Sequence, residues 1–244
     1  CIFIKRFIAG EGSMNEITRK ERKFLITSEQ MYRDTHVLSQ VLREDPHNRG
    51  DGYMIRSLYF DTLDDRDFHE KEDGIELRRK LRLRCYAPDA DFAVLEMKQK
   101  QGDSQRKRSL RMARADAQRL IQGDYSVLLR YAEPFAAECF GMLHMYAYRP
   151  KSVVEYRRKA YVAKENKIRI TYDHHIIGTE SCFDIFSRDL LQNPLLYPSL
   201  VVVEVKYNGF LLSYIKDMME RCNASELSVG KYSLSRALSK HYQF

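Results

Sequence analysis

The 244-residue chain has no apolar run approaching the ~20 residues that a membrane-spanning helix needs; its longest, such as Leu200-Val201-Val202-Val203, stops far short. A soluble protein without a membrane span is expected. No C-x-x-C pair occurs, and the five cysteines (Cys1, Cys85, Cys139, Cys182, Cys222) are an odd set. That argues against a disulfide framework or a zinc site and for a reducing, cytoplasmic compartment. A G-x-x-x-x-G-K-[ST] loop is also missing, which excludes nucleotide handling by a P-loop at the level of motif. Low-complexity tracts, Gly/Ser linkers and internal repeats are absent, and the six prolines are scattered. One domain over residues 16–244 is therefore the simplest organisation. Residues 1–15 are read as an extension ahead of it. Ile2, Phe3, Ile4, Phe7 and Ile8 lack the cleavage pattern of a secretory signal, and Gly12-Ser13-Met14 resembles a cloning junction before a start at Met14.

What the chain does have is a sizeable hydrophobic fraction, 44%, and 41 Lys+Arg against 34 Asp+Glu, a net +7 that makes a polyanionic partner plausible. Charge sits at every second position of several segments. In 76–85 (ELRRKLRLRC), Glu76, Arg78, Lys80, Arg82 and Arg84 share one side of a predicted strand, and Leu77, Leu81, Leu83 and Cys85 share the other. The pattern recurs in Leu95–Lys100, Lys167–Asp173, Val201–Lys206 and Glu21–Ile26, and more loosely in Tyr156–Val162. Between these lie helical spacings. Ser28 is the expected cap of a helix to about Glu44, and Thr62 with Asp65 is the expected start of a short helix before Gly74. Further helices fit 114–122, 124–145, 210–222 and 233–241.

A solvated face explains any one alternating strand. Six together are harder to explain so, because like charges on adjoining strands are mutually destabilising unless a multiply charged anion neutralises them. The expected architecture is α+β. An antiparallel sheet of about eight strands closes into a barrel, a tunnel, with its apolar side out beneath packed helices and its charged side lining the lumen. Guanidinium and ammonium groups in such a lumen would bind a chain of phosphates.

Eight motifs occur in an order that resembles the VTC (vacuolar transporter chaperone) domain of polyphosphate polymerases, a branch of the CYTH-like triphosphate tunnel metalloenzymes. They are Glu21-x-Lys23-Phe24, Ser57-Leu58-Tyr59-Phe60-Asp61-Thr62, Arg82-x-Arg84-x-Tyr86, Leu95-Glu96-x-Lys98, Tyr156-x-Arg158-x-Ala160-Tyr161, Arg169-Ile170-Thr171-x-Asp173, Glu204-Val205-Lys206-Tyr207 and Lys231-Tyr232-Ser233. The resemblance implies transfer of the ATP γ-phosphate to a growing polyphosphate chain, with Mn²⁺ or Mg²⁺. It places the phosphate-binding cations on Lys23, Arg82, Arg84, Lys98, Arg158, Arg169 and Lys231, with Lys107 carried over from the Gln105–Arg108 cluster, and a metal-binding carboxylate on Glu204. Lys80 and Lys206, on the same alternating faces, are added as substrate-binding. Glu21 and Glu96 are candidate second metal ligands or water-positioning groups, and each glutamate has the alternative of a structural partner for a neighbouring Arg. Two departures stand out: Arg19 occupies the first Glu position of the hydrolase-type E-x-E-x-K opening, and Leu234 stands where some polymerases carry a second Lys.

The carboxylates do not by themselves separate a polymerase from a triphosphatase, since water needs a base and a terminal phosphate does not. A non-catalytic polyphosphate-binding module is the third alternative. The expected partners are ATP and polyphosphate or triphosphate. Nucleic acid is not expected, because Arg106–Arg111 (RKRSLR) reads as a solvated loop or an entrance funnel. A membrane-protein partner and the oligomeric state are left open. His174 and His175 read as surface or loop histidines, and Tyr59, Phe60, Tyr148 and Tyr156 as core.

Overall fold

A computed structural model describes residues 19–102, 104–221 and 230–241. The proposed extension over 1–15 lies outside them. In chain order the elements are β1 (Arg19–Thr27), α1 (Ser28–Val41), β2 (Arg43–Glu44), β3 (Tyr53–Asp61), α2 (Arg66–Glu72), β4 (Leu77–Cys85), β5 (Phe92–Gln101), β6 (Ser104–Ala113), α3 (Arg114–Ile121), a 3₁₀ turn (Tyr125–Arg130), α4 (Pro134–Met145), β7 (Arg149–Val162), β8 (Arg169–Thr179), β9 (Asn193–Pro194), β10 (Leu200–Asn208), α5 (Ser213–Arg221) and α6 (Lys231–His241). The chain is α+β, as expected. Among the described residues no helix is long and apolar enough to cross a membrane.

All strand pairings are antiparallel, and the main path runs β1-β10-β8-β7-β3-β4-β5-β6. Alternation sorts each strand. On β1, Phe24 and Ile26 pack beneath α1 and α5, while Glu21 and Lys23 turn to the other face. On β4, Leu81 and Leu83 are fully buried against α3, α4 and the 3₁₀ turn, while Lys80, Arg82 and Arg84 turn the other way. Two apolar clusters therefore lie outside the curled sheet, under helices, while a third, with Tyr59, Tyr156, Val202 and Tyr232, shares the inner face with the charged side chains that line the hollow.

The expected closed barrel is corrected in one respect: the two edge strands, β1 and β6, are not joined by backbone hydrogen bonds among the described residues. Pairing them would set cations of β1 (Lys20, Arg22, Lys23) beside cations of β6 (Arg106, Lys107, Arg108), which is unfavourable. Side chains bridge the hollow instead; the Glu21 carboxylate of β1 lies 3.9 Å from Lys98 of β5.

Other expectations are adjusted by local chemistry. Thr27, not Ser28, caps α1, in a reciprocal box with Gln30. At α2, Asp65 makes no side-chain cap; the buried Asp61 carboxylate accepts the N–H groups of Thr62, Asp67 and Phe68 in its place. Arg106–Arg111 is strand β6 rather than a loop, because Leu110 and Met112 anchor it to the core. His174 and His175 lie in β8 at an irregularity of register, and His174 is buried, with Nε2 2.8 Å from the Asp51 carbonyl oxygen.

Candidate functional site

The hollow of the sheet is a cavity of about 780 Å³. Lys23 and Glu21 reach it from β1, Glu204 and Lys206 from β10, and Arg169 from β8. Arg158 comes from β7, Lys80, Arg82 and Arg84 from β4, Lys98 from β5, Lys107 from β6 and Lys231 from the start of α6. Of the residues expected from sequence only Glu96 does not line it. Ten cationic side chains thus face two carboxylates in one space.

Glu96 is on the cavity side of β5, like Lys98, but covered by the lining cations and 4% exposed: Arg82 Nε donates to it at 2.7 Å, Arg84 approaches to 3.6 Å and Lys107 forms a close ion pair. Burial opposes its ionisation, but these cations outweigh burial and hold its pKa at about 2. Glu204, on β10, contacts Lys206 at 2.8 Å and Arg158 at 3.7 Å. Burial again opposes its charge, and Lys206 with its neighbours holds the carboxyl well below the usual range. Glu21 lies 2.8 Å from Lys23 and 3.6 Å from Lys206.

The cations carry the complementary imbalance. Burial pushes Lys98 down to about 8 and lowers Lys80 as well. Arg84 Nε is buried and has no hydrogen-bond partner among the described residues. An unmatched donor in a cationic hollow is the feature an anion completes.

The donor set also bears on a metal. Among the described residues there is no group of three or more His, Cys, Asp or Glu disposed to hold an ion. Glu21 and Glu204 both line the cavity and share Lys206, at 3.6 and 2.8 Å. Two hard carboxylates beside a phosphate site fit an ion of the Mg²⁺ or Mn²⁺ type, which takes one or two carboxylates and completes its shell from phosphates and water. The two histidines do not line the cavity.

Three features escaped the reading of the sequence. Asp173, with no exposure, receives Arg158 through Nε at 2.6 Å and a second nitrogen at 2.8 Å, and Lys231 at 2.5 Å. It shares the period-2 face of Arg169 and Thr171, a signal that was available. Tyr59 and Tyr156 are buried as expected of core residues, yet both border the cavity; Lys231 Nζ lies 4.5 Å from the Tyr156 ring and Tyr59 stacks on Tyr232 at 5.1 Å. Asp45, which holds Arg169 at 2.7 Å, comes from a turn and leaves no periodic trace.

The profile described as the VTC domain matches residues 18–240. No curated protein matches. Among solved structures, a candidate adenylyl cyclase from Hippeastrum, reported to have a dominant triphosphatase activity, is similar with a TM-score of 0.54 and 13% identity, over 89% of this chain and 94% of that one. A candidate adenylate cyclase from Bacillus halodurans aligns with a TM-score of 0.49 and 13% identity, over 88% and 96% of the two chains.

Proposed function

The chain belongs to the VTC domain family, and from that premise we propose that it is an ATP-dependent polyphosphate polymerase, transferring the γ-phosphate of ATP to the end of a chain held in the cavity. The broader reading, a tunnel-fold enzyme that handles phosphate chains, rests on the family and on ten cations converging on one hollow.

The observation that carries the finer reading is the state of the carboxylates. Glu204, one of the two carboxylates that line the cavity, is ion-paired with Lys206 at 2.8 Å and Arg158 at 3.7 Å, and a carboxylate so compensated is a weak base. A hydrolase needs a group to deprotonate water, whereas the terminal phosphate of a chain is ionised near neutral pH and attacks unaided. The site is thus better suited to aligning two phosphate chains than to activating water.

Phosphoryl transfer asks mainly for positioning and charge neutralisation, since its loose transition state spreads charge over the equatorial oxygens. Arg82, Arg84 and Arg158 are restrained by Glu96, Asp173 and Glu204, so their donors are aimed before substrate arrives. Lys98 and Lys80, less well compensated, gain from each phosphate that enters. A Mn²⁺ or Mg²⁺ held by Glu204 and Glu21, with Glu96 restraining the cations around it, would add charge neutralisation on the phosphate oxygens.

The test is product analysis on purified protein with ATP, a short polyphosphate primer and either metal. Long chains on a stained gel are expected, with Glu204→Gln and Arg82→Ala reducing product at least ~100-fold, as for loss of a group that stabilises the transition state. Orthophosphate without polymer would replace this reading with a triphosphatase; tight binding without turnover would leave a polyphosphate-binding module.

A further inference from the structure

Beside Arg169 the cavity is bordered by a turn that lies just outside its lining and holds that arginine. Between β2 and β3 the chain turns over the end of β7, where Asp45 N–H donates to the Ala160 carbonyl at 2.9 Å and Asn48 exchanges hydrogen bonds with the same residue at 3.0 and 3.1 Å. Gly52 closes the turn at φ +108°; a Cβ there would come 2.3 Å from the Arg158 carbonyl oxygen, so the turn is seated hard against the wall. This turn holds Asp45, which accepts from Arg169 at 2.7 Å, and Tyr53, whose hydroxyl accepts from Arg169 at 3.2 Å. Asp45 also takes the His47 N–H at 3.0 Å and lies 2.8 Å from His47 Nδ1. The His47 side chain is thereby fixed while 79% exposed, its ring 5.9 Å from that of Tyr53. The two tyrosines that line the cavity, Tyr59 and Tyr156, are by contrast 4% and 2% exposed.

We propose that this rim is a nucleoside subsite: the aromatic base of the donor lies against His47 and Tyr53, and its phosphates enter the cavity past Arg169. The proposal rests on the nucleotide-donor reading above and adds to it a residue-level basis for preferring a nucleoside triphosphate over inorganic triphosphate. Aromatic rings accept any base face, so adenine and guanine donors should be used with similar efficiency.

The experiment measures binding of ADP and of inorganic triphosphate by calorimetry, and KM for ATP, in the wild type, His47→Ala, Tyr53→Leu and Tyr53→Phe. Phe and Leu both lose the hydroxyl held by Arg169, and only Phe keeps the ring. His47→Ala and Tyr53→Leu should each weaken ADP binding and raise KM for ATP roughly tenfold. Binding of inorganic triphosphate should change less than about twofold, which also reports that the variants are folded. Tyr53→Phe should stay close to the wild type for ADP. Equal losses for both ligands, or unaltered ADP binding in Tyr53→Leu, would overturn the subsite while leaving the cavity as a phosphate site. Wild-type protein that binds neither ligand would overturn the proposed function with it.

Discussion

Asp173 offers the sharpest test of how the cavity is held together. Its carboxylate is the shared anion of two cations whose side chains are only 13% and 14% exposed, Arg158 and Lys231. Burial works against its charge, yet these two partners hold its pKa below the ordinary carboxylate value. In Asp173→Asn the geometry of one oxygen survives, but the charge is lost and the amide opposes Lys231. Arg158 is then left with Glu204 at 3.7 Å as its remaining ion-pair partner among the described residues. Removing one member of a buried pair costs about 3–5 kcal/mol, against roughly 0–1 kcal/mol for an exposed pair. For a domain of this size that corresponds to a fall in Tm of roughly 10 °C. Thermal unfolding with and without inorganic triphosphate measures it. The anion should recover more of the lost stability in the variant than it adds to the wild type, because it supplies charge where the carboxylate stood. A variant that melts within about 2 °C of the wild type and gains no more from the anion would refute the account of Asp173 as the shared counter-ion.

Two further predictions concern pH. Glu96, held at about 2 against an unfolded value near 4.5, contributes stability that is fully present above pH ~4.5 and is lost as pH falls towards 2. Glu96→Gln should flatten that part of an acid-unfolding profile, and a profile as steep as the wild type's would count against the Arg82-Arg84-Lys107 cluster. Asp67 has the opposite sign: burial, and then the nearby Asp61, raise it to about 7, so its ionisation penalises the fold increasingly as pH rises from about 4 to 7. Asp67→Asn, which keeps an acceptor for the Tyr148 hydroxyl, should raise Tm at pH 8 and give little or no gain at pH 4; a larger gain at pH 4 would be inconsistent with a buried acid.

Which residues face the cavity was legible from the chain because a strand repeats every two residues: wherever charge alternated with Leu, Val or Ile, the pleat forced the two sets onto opposite faces. Lys80, Arg82 and Arg84 and their counterparts on β1, β8 and β10 follow from that rule alone. Strand β6 did not, since Gln105–Ser109 carries no apolar alternation and only its last residues touch the core.

Tertiary structure decided what a one-dimensional period cannot hold. It leaves β1 and β6 unjoined among the described residues, since closure depends on how strands distant in sequence meet, and cation-rich edges repel. It covers Glu96 with Arg82, Arg84 and Lys107 and leaves Glu21 and Glu204 open to the cavity, a distinction between residues with the same alternation that depends on which cations surround each one. It seats Asp45, His47 and Tyr53 at the rim through a turn whose course is fixed by Gly52 against Arg158. Period set the face of each side chain; only the folding of strands onto one another set its neighbours.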